Sequence, residues 1–202
     1  MSRIILASAS PRRKELLSVI TKDFEVMTAD VDERAIELKI LAEHDDMVEA
    51  GIEMTKALGT AKAGAILNEL KAKGEDDVIV IGADTCVVTN DEILGKPVDR
   101  ADCVRMLTKL SGITHYVITG VTIMSGEKTV SFADVSEVRF YDKDEYQLKK
   151  IEEYADMKEP YDKAGSYGIQ GYGMMLIKEI KGDYYNIMGL PVARLARELW
   201  TL

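Results

Sequence analysis

The chain is poor in the residues that most thiol and metal chemistry requires. Its 202 residues include two cysteines, Cys86 and Cys103, and two histidines, His44 and His115. Two cysteines are too few for a disulfide framework or a structural zinc site, and two histidines argue against histidine-rich metal chemistry. With no histidine partner expected for it, Cys86 reads as a buried strand residue. No apolar run approaches the ~18 residues that cross a bilayer, and the best one, Val78 to Ala83, ends in Asp84. Arg3 followed by Ile4-Ile5-Leu6-Ala7 is too short for the apolar core of a signal peptide, so the expected location is the cytoplasm and no membrane partner is expected.

Basic residues are also in deficit. Lysine and arginine total 26 against 35 acids, a net charge of -9 with a pI near 4.9. Non-specific nucleic-acid binding draws its energy from many cation–phosphate contacts, so no nucleic-acid partner is expected. There is no Walker-type lysine loop, no Rossmann glycine fingerprint and no Ser-His-Asp arrangement. Carboxylates and lysines are left to carry any chemistry.

What is present reads as an ordinary globular protein, 47% hydrophobic and 30% charged. Arg3 to Ala7 reads as a buried strand. Ser10-Pro11 starts a helix, with serine at the cap and proline at the first helical position. Phe24 to Thr28 reads as a second strand, and 29–45 as an acidic, weakly patterned stretch, mostly loop with some helix. Met47 to Lys73 has a long helical pattern stopped by Gly74. Val78 to Ile81 is the clearest buried strand, followed by a hairpin that turns at Asn90-Asp91. Asp99 to Leu110 reads as a capped helix, and His115 to Met124 and Thr129 to Phe140 as strands. Lys143 to Ala155 is a charged helix, 159–173 a glycine- and tyrosine-rich loop, Met175 to Ile180 a strand and Pro191 to Trp200 a closing helix. Strands alternate with helices, with no repeat and no linker. The expectation is one α/β domain over residues 1–202, a mixed sheet with flanking helices.

Charge is unevenly placed. Residues 1–22 hold Arg3, Arg12, Arg13, Lys14 and Lys22 against Glu15 alone, while residues 30–53 hold nine acids against Arg34 and Lys39. The first turn after Ser8-Ala9-Ser10-Pro11 therefore carries cations where the helix dipole favours acids, a mismatch of roughly 0.3–1 kcal/mol each unless an anion answers it. Bound phosphate would answer it, and so would a solvated turn pairing with nearby acids. Asp84 closes an apolar strand, where open α/β sheets place ligands. The hairpin returns Lys96 opposite Asp84 or Thr85, as a structural ion pair or as half of a site. Lys62 shares the helical row Met54, Leu58, Lys62, Ile66, so its ammonium either snorkels outward or meets a buried anion. Asp30, Asp32 and Glu33 form an oxygen-rich group suited to Mg²⁺ or Mn²⁺, or a solvated acidic loop. Gln170 lies among four glycines in residues 165–173, where its amide could read a base edge or the loop could simply be flexible.

Taken in order, these segments resemble the Maf family of nucleoside triphosphate pyrophosphatases across nearly the whole chain. The resemblance is carried by Leu6-Ala7-Ser8-Ala9-Ser10-Pro11-Arg12-Arg13, Ala83-Asp84-Thr85, Gly95-Lys96-Pro97-Val98-Asp99, Leu110-Ser111-Gly112, His115 and Thr119-Gly120-Val121. Glu159-Pro160 through Gln170-Gly171, Gly182-Asp183-Tyr184 and Gly189-Leu190-Pro191 complete it. It implies a mixed α/β fold of the Maf and inosine triphosphatase type with a central cleft. It also implies hydrolysis of a nucleotide at the α-phosphorus to a monophosphate and pyrophosphate.

By the same resemblance Asp84 is the catalytic carboxylate and shares a divalent cation, Mg²⁺ or Mn²⁺, with Glu33. Lys62 and Lys96 neutralise phosphate charge, and Ser8, Arg12 and Arg13 contact the substrate. Arg12, Thr85 and Gln170 match the branch acting on dTTP and UTP. The alternatives are a pyrophosphatase for modified purines such as 7-methyl-GTP, and a non-catalytic, division-regulating binding protein. A homodimer is implied as well. The chain departs from the family pattern between Glu33 and Lys62, where it is longer, acidic, and reads Ala57-Leu58-Gly59-Thr60-Ala61-Lys62.

Overall fold

A computed structural model describes residues 2–126 and 128–202. Strand β1 (Arg3–Ala7) leads through Ser8-Ala9-Ser10 into helix α1 (Pro11–Ile20), whose cap Ser10 accepts the Arg13 N–H. Leu16 and Leu17 are fully buried beneath α1, worth about 1.5–3 kcal/mol each. Strand β2 (Glu25–Met27) precedes α2 (Glu33–Glu43) and α3 (Met47–Ala72). The acidic stretch expected to be mostly loop is thus largely helical. Asp32 and Asp46 cap α2 and α3 by accepting backbone N–H groups, which supplies helix starts where apolar periodicity is faint. Strands β3 (Val78–Val88) and β4 (Ile93–Leu94) form the hairpin, and α4 (Arg100–Leu110) follows its cap Asp99.

Strands β5 (Thr114–Ser125) and β6 (Lys128–Phe140), helix α5 (Glu145–Ala155), strand β7 (Ile177–Lys181) and helices α6 (Tyr184–Met188) and α7 (Val192–Trp200) complete the order. Two details differ from the sequence expectation. Residues 159–176 contain three short 3₁₀ turns rather than plain loop. The five-residue α6, capped by Asp183, is too short to show a period.

The sheet has seven strands in the order β2-β1-β3-β5-β6-β7, with β4 pairing off the path onto β3. Strands β2, β1 and β3 run parallel, and β3, β5, β6 and β7 antiparallel. This is the expected mixed α/β fold. Helix α3 covers one face, where Ala63, Ile66, Leu67 and Leu70 pack on Ile5, Ala7, Val78 and Val80. On the other face Leu6, Ile81 and Ala83 meet α1 and α7 through Leu16, Leu17 and Leu195. Among the described residues no helix is long and apolar enough to cross a membrane.

The register leaves one gap. Strand β1 pairs with β3 only as far as Ala7 opposite Gly82, and β4 resumes that edge at Val87. Meanwhile β5 pairs with β3 without interruption from Ile79 to Val88. Asp84 is therefore in mid-strand, not at a strand end as expected. The β5 ladder carries the backbone past it, while the edge from Ala83 to Cys86 has, among the described residues, no strand on its β1 side.

Candidate active site

A cleft of about 840 Å³ lies against that open edge, within the range of small-molecule sites. Ser8, Ser10, Arg12 and Arg13 line it from the turn after β1 and the start of α1. Asp84 and Thr85 line it from β3, Lys62 from α3, and Lys96 from beyond β4. Glu33 and Glu37 reach it from α2, and Gln170 from the loop opposite. Every residue singled out as a candidate thus borders one cavity, except Asp30 and Asp32. Asp32 spends its carboxylate on the Ala35 N–H as the α2 cap, so only Glu33 of the acidic trio faces inward.

Side-chain alternation sets the first contact. Along β3, Val80, Gly82, Asp84 and Cys86 share the α3 face. On α3, Lys62 follows Gly59 by three residues, on the side turned to the sheet. The helix can come this close because Cβ atoms are missing at the contact. A Cβ on Gly82 would lie 2.1 Å from the Gly59 carbonyl oxygen, and one on Gly120 would lie 2.3 Å from the Thr55 carbonyl carbon. The Lys62 ammonium then sits 2.7 Å from Asp84 and 2.8 Å from Glu33. The expected partner of Asp84, Lys96, lines the same cleft but has no ion pair or hydrogen bond among the described residues. Hairpin register places it correctly, yet the helix above the sheet reaches Asp84 first.

Arg13 is directed inward. Its Nε donates to the Gly189 carbonyl at 2.8 Å, one terminal nitrogen to Thr85 Oγ1 at 2.8 Å and the other to Ser8 Oγ at 3.2 Å. Burial pulls its pKa down, against the attraction of Asp84. These bonds tie α1 to β3 and to the end of α6, and the guanidinium keeps N–H groups for a ligand. Arg12 points across the cleft mouth to Asp162 at 3.3 Å. Glu37, one turn after Glu33, has its pKa raised by burial and then by Glu33 and Asp84. Sequence reading missed it because the spacing has meaning only on a helix.

The opposite wall is the loop through Gln170. Gly165 and Ser166 both adopt left-handed backbone, at φ 66° and 63°, and the Gly165 N–H donates to the Gly95 carbonyl at 3.0 Å. A Cβ at Gly165 would press on the Val87 side chain. Glu159 accepts from Tyr154 Oη at 2.9 Å and from the Tyr172 N–H at 3.2 Å. Buried His115 holds the phenol of Tyr167 at 2.8 Å between edge-on aromatic rings, and burial pushes its pKa down to about 3. The loop is thus held at several points, while Gln170 is exposed and has no hydrogen bond among the described residues. Lys163 and Glu159, which lie in the segment that carries the resemblance but are given no role of their own there, also border the cavity.

The donor set can be compared with a hard divalent cation. Glu33 and Asp84 converge on one cationic nitrogen, so their oxygens can share positive charge between them. Carboxylate oxygens without histidine or cysteine suit Mg²⁺ or Mn²⁺. Among the described residues no group of three or more His, Cys, Asp or Glu side chains is placed to hold a metal. Water and substrate oxygens would have to complete the shell, which is how Mg²⁺ is usually bound.

A family model described as Maf-like protein matches residues 3–202. The chain is 45% identical to a protein of Bacillus cytotoxicus named dTTP/UTP pyrophosphatase, over 98% of this chain and 95% of the relative. Proteins of the same name from Bacillus mycoides, at 45%, and Bacillus anthracis, at 44%, are covered to the same extent.

Proposed function

The chain belongs to the Maf family, and from that premise we propose that it hydrolyses dTTP and UTP to the monophosphate and pyrophosphate. The observation that carries this reading is the convergence of Arg12, Arg13, Lys62, Lys96, Asp84 and Gln170 on one cleft. A triphosphate brings about four negative charges, and binding it requires cations and N–H donors that offset its desolvation. The α1 start, Arg12 and Lys96 take the phosphates. The exposed amide of Gln170 reads the base.

Asp84, fixed by Lys62, accepts the proton of a water attacking the α-phosphorus, while Arg12 and Lys96 stabilise charge developing on the departing pyrophosphate. Mg²⁺ or Mn²⁺ held by Glu33 and Asp84 would polarise phosphoryl oxygen. The acidic surface disfavours long polyanions and leaves free nucleotides as substrates. The similarity to relatives named for dTTP and UTP supports pyrimidine nucleotides over 7-methyl-GTP and over a non-catalytic binding role. A nucleotide panel assayed for pyrophosphate release, with and without Mg²⁺ or Mn²⁺, tests this. Turnover of dTTP and UTP that stops when chelator removes the metal is the expected outcome, and binding without turnover across the panel would overturn it.

A further inference from the structure

The five cations that border the cleft, Arg12, Arg13, Lys62, Lys96 and Lys163, are not equivalent. Lys62 is shared between two carboxylates, and Arg13 is bound to Gly189, Thr85 and Ser8. Lys96 has no ion pair among the described residues. Arg12, at the basic start of α1, is held by a carboxylate from the far wall, Asp162 Oδ2 at 3.3 Å. The other oxygen of Asp162 takes the Lys163 ammonium at 2.6 Å, which also donates to the Glu159 carbonyl at 2.6 Å. Arg12, Asp162 and Lys163 all border the cleft. One carboxylate therefore spans two cations at the entrance, one oxygen to each, a demand that two oxygens of a phosphate would also meet.

We propose that Asp162 is a stand-in anion that occupies Arg12 and Lys163 until phosphate displaces it, and so sets how tightly the cleft holds phosphate. The inference rests on reading the cleft as a triphosphate site. An incoming polyanion takes Arg12 over and is repelled by the carboxylate it displaces. When pyrophosphate is the product, Asp162 returns to Arg12 and eases its departure. Asp162 thus weakens binding. A residue that merely ties the loop to α1 would strengthen it.

The two roles predict opposite signs. Inorganic pyrophosphate is titrated calorimetrically into the full-length wild type, Asp162→Asn and Asp162→Glu at low salt. Asp162→Asn is expected to bind pyrophosphate about three- to tenfold more tightly, the scale of one exposed charge contact plus one removed repulsion. Asp162→Glu stays near the wild type, and the gap narrows at high salt as the charges are screened. Equal or weaker binding by Asp162→Asn, in a wild type that turns over dTTP, overturns this inference alone. A wild type that neither binds pyrophosphate nor turns over dTTP overturns the functional reading and this inference with it.

Discussion

The Lys62 ammonium lies 2.7 Å from the Asp84 carboxylate, and neither α3 nor β3 alone accounts for that contact. Lys62 sits on a helical row whose other members, Met54, Leu58 and Ile66, are buried, and Asp84 sits in mid-strand under the same helix. The Asp84 carboxylate would be costly in such surroundings without the ammonium, which Glu33 also holds. The pair keeps an open side to the cleft, with side-chain exposures of 14% and 19%, so both groups remain available to a ligand.

Replacing the carboxylate by its amide removes the proton acceptor proposed above and keeps the shape. In Asp84→Asn, Lys62 retains Glu33, and melting is expected to stay close to the wild type. Pyrophosphate release from dTTP or UTP should fall about 10²–10⁴-fold, the usual scale of general base catalysis. Activity retained in a folded variant would remove Asp84 from the mechanism.

The glycine contact can be tested without touching a charged residue. Gly82→Ala places a methyl group 2.1 Å from the Gly59 carbonyl oxygen, so α3 must lift. Overpacking of this kind costs about 1–3 kcal/mol, and here it also moves Lys62 away from Asp84. Denaturant melts should show the loss of stability, and turnover should fall with it. A variant as stable and as active as the wild type would show that the helix adjusts freely.

Base reading by the loop makes a selective prediction. Gln170 is exposed and contributes no internal bond among the described residues, so Gln170→Ala should leave thermal stability within about 0.5 kcal/mol. The ratio of dTTP and UTP turnover to GTP turnover should drop about tenfold. An unchanged substrate profile counts against this role.

His115 gives the fold an acid-sensitive point. Burial lowers its pKa to about 3 from an ordinary value near 6.5. The unfolded chain therefore binds a proton between those limits that the folded one does not, and stability falls as pH drops below about 6.5. By pH 5 the loss attributable to this imidazole is about 2 kcal/mol. Chemical denaturation of His115→Asn across the same range should give a flatter slope, whatever the variant's own stability. Equal slopes would mean that the imidazole titrates alike in the folded and the unfolded chain.

Much of this was legible in the sequence because it depends on local chemistry. Ser10-Pro11 announced α1, Asp99 capped α4, and the apolar run of β3 needed no partner to be recognised. The candidate residues from Ser8 to Gln170 came from the basic helix start, the resemblance and the glycine-rich loop. What escaped depends on three dimensions. Helix α2 has no fully buried residue, so its sequence carries no apolar stripe, and Glu37 went unnoticed with it. The Asp84 partner was expected from the hairpin, but the shorter route runs through α3, whose height above the sheet is set by glycines on two different strands. Asp162 meets Arg12 across a sequence separation that no local pattern spans.

The gap left where β1 stops short has a consequence for mutagenesis. Between Ala83 and Cys86 the β3 backbone has, among the described residues, no partner strand on its β1 side, so main-chain N–H and C=O groups of this edge are left without a ladder partner where Asp84 and Thr85 border the cavity. Such groups persist in every side-chain variant, so a scan by single replacement will undercount what grips a ligand there. Only lengthening the first strand through Ser8-Ala9-Ser10 would silence them, by zipping the cavity shut.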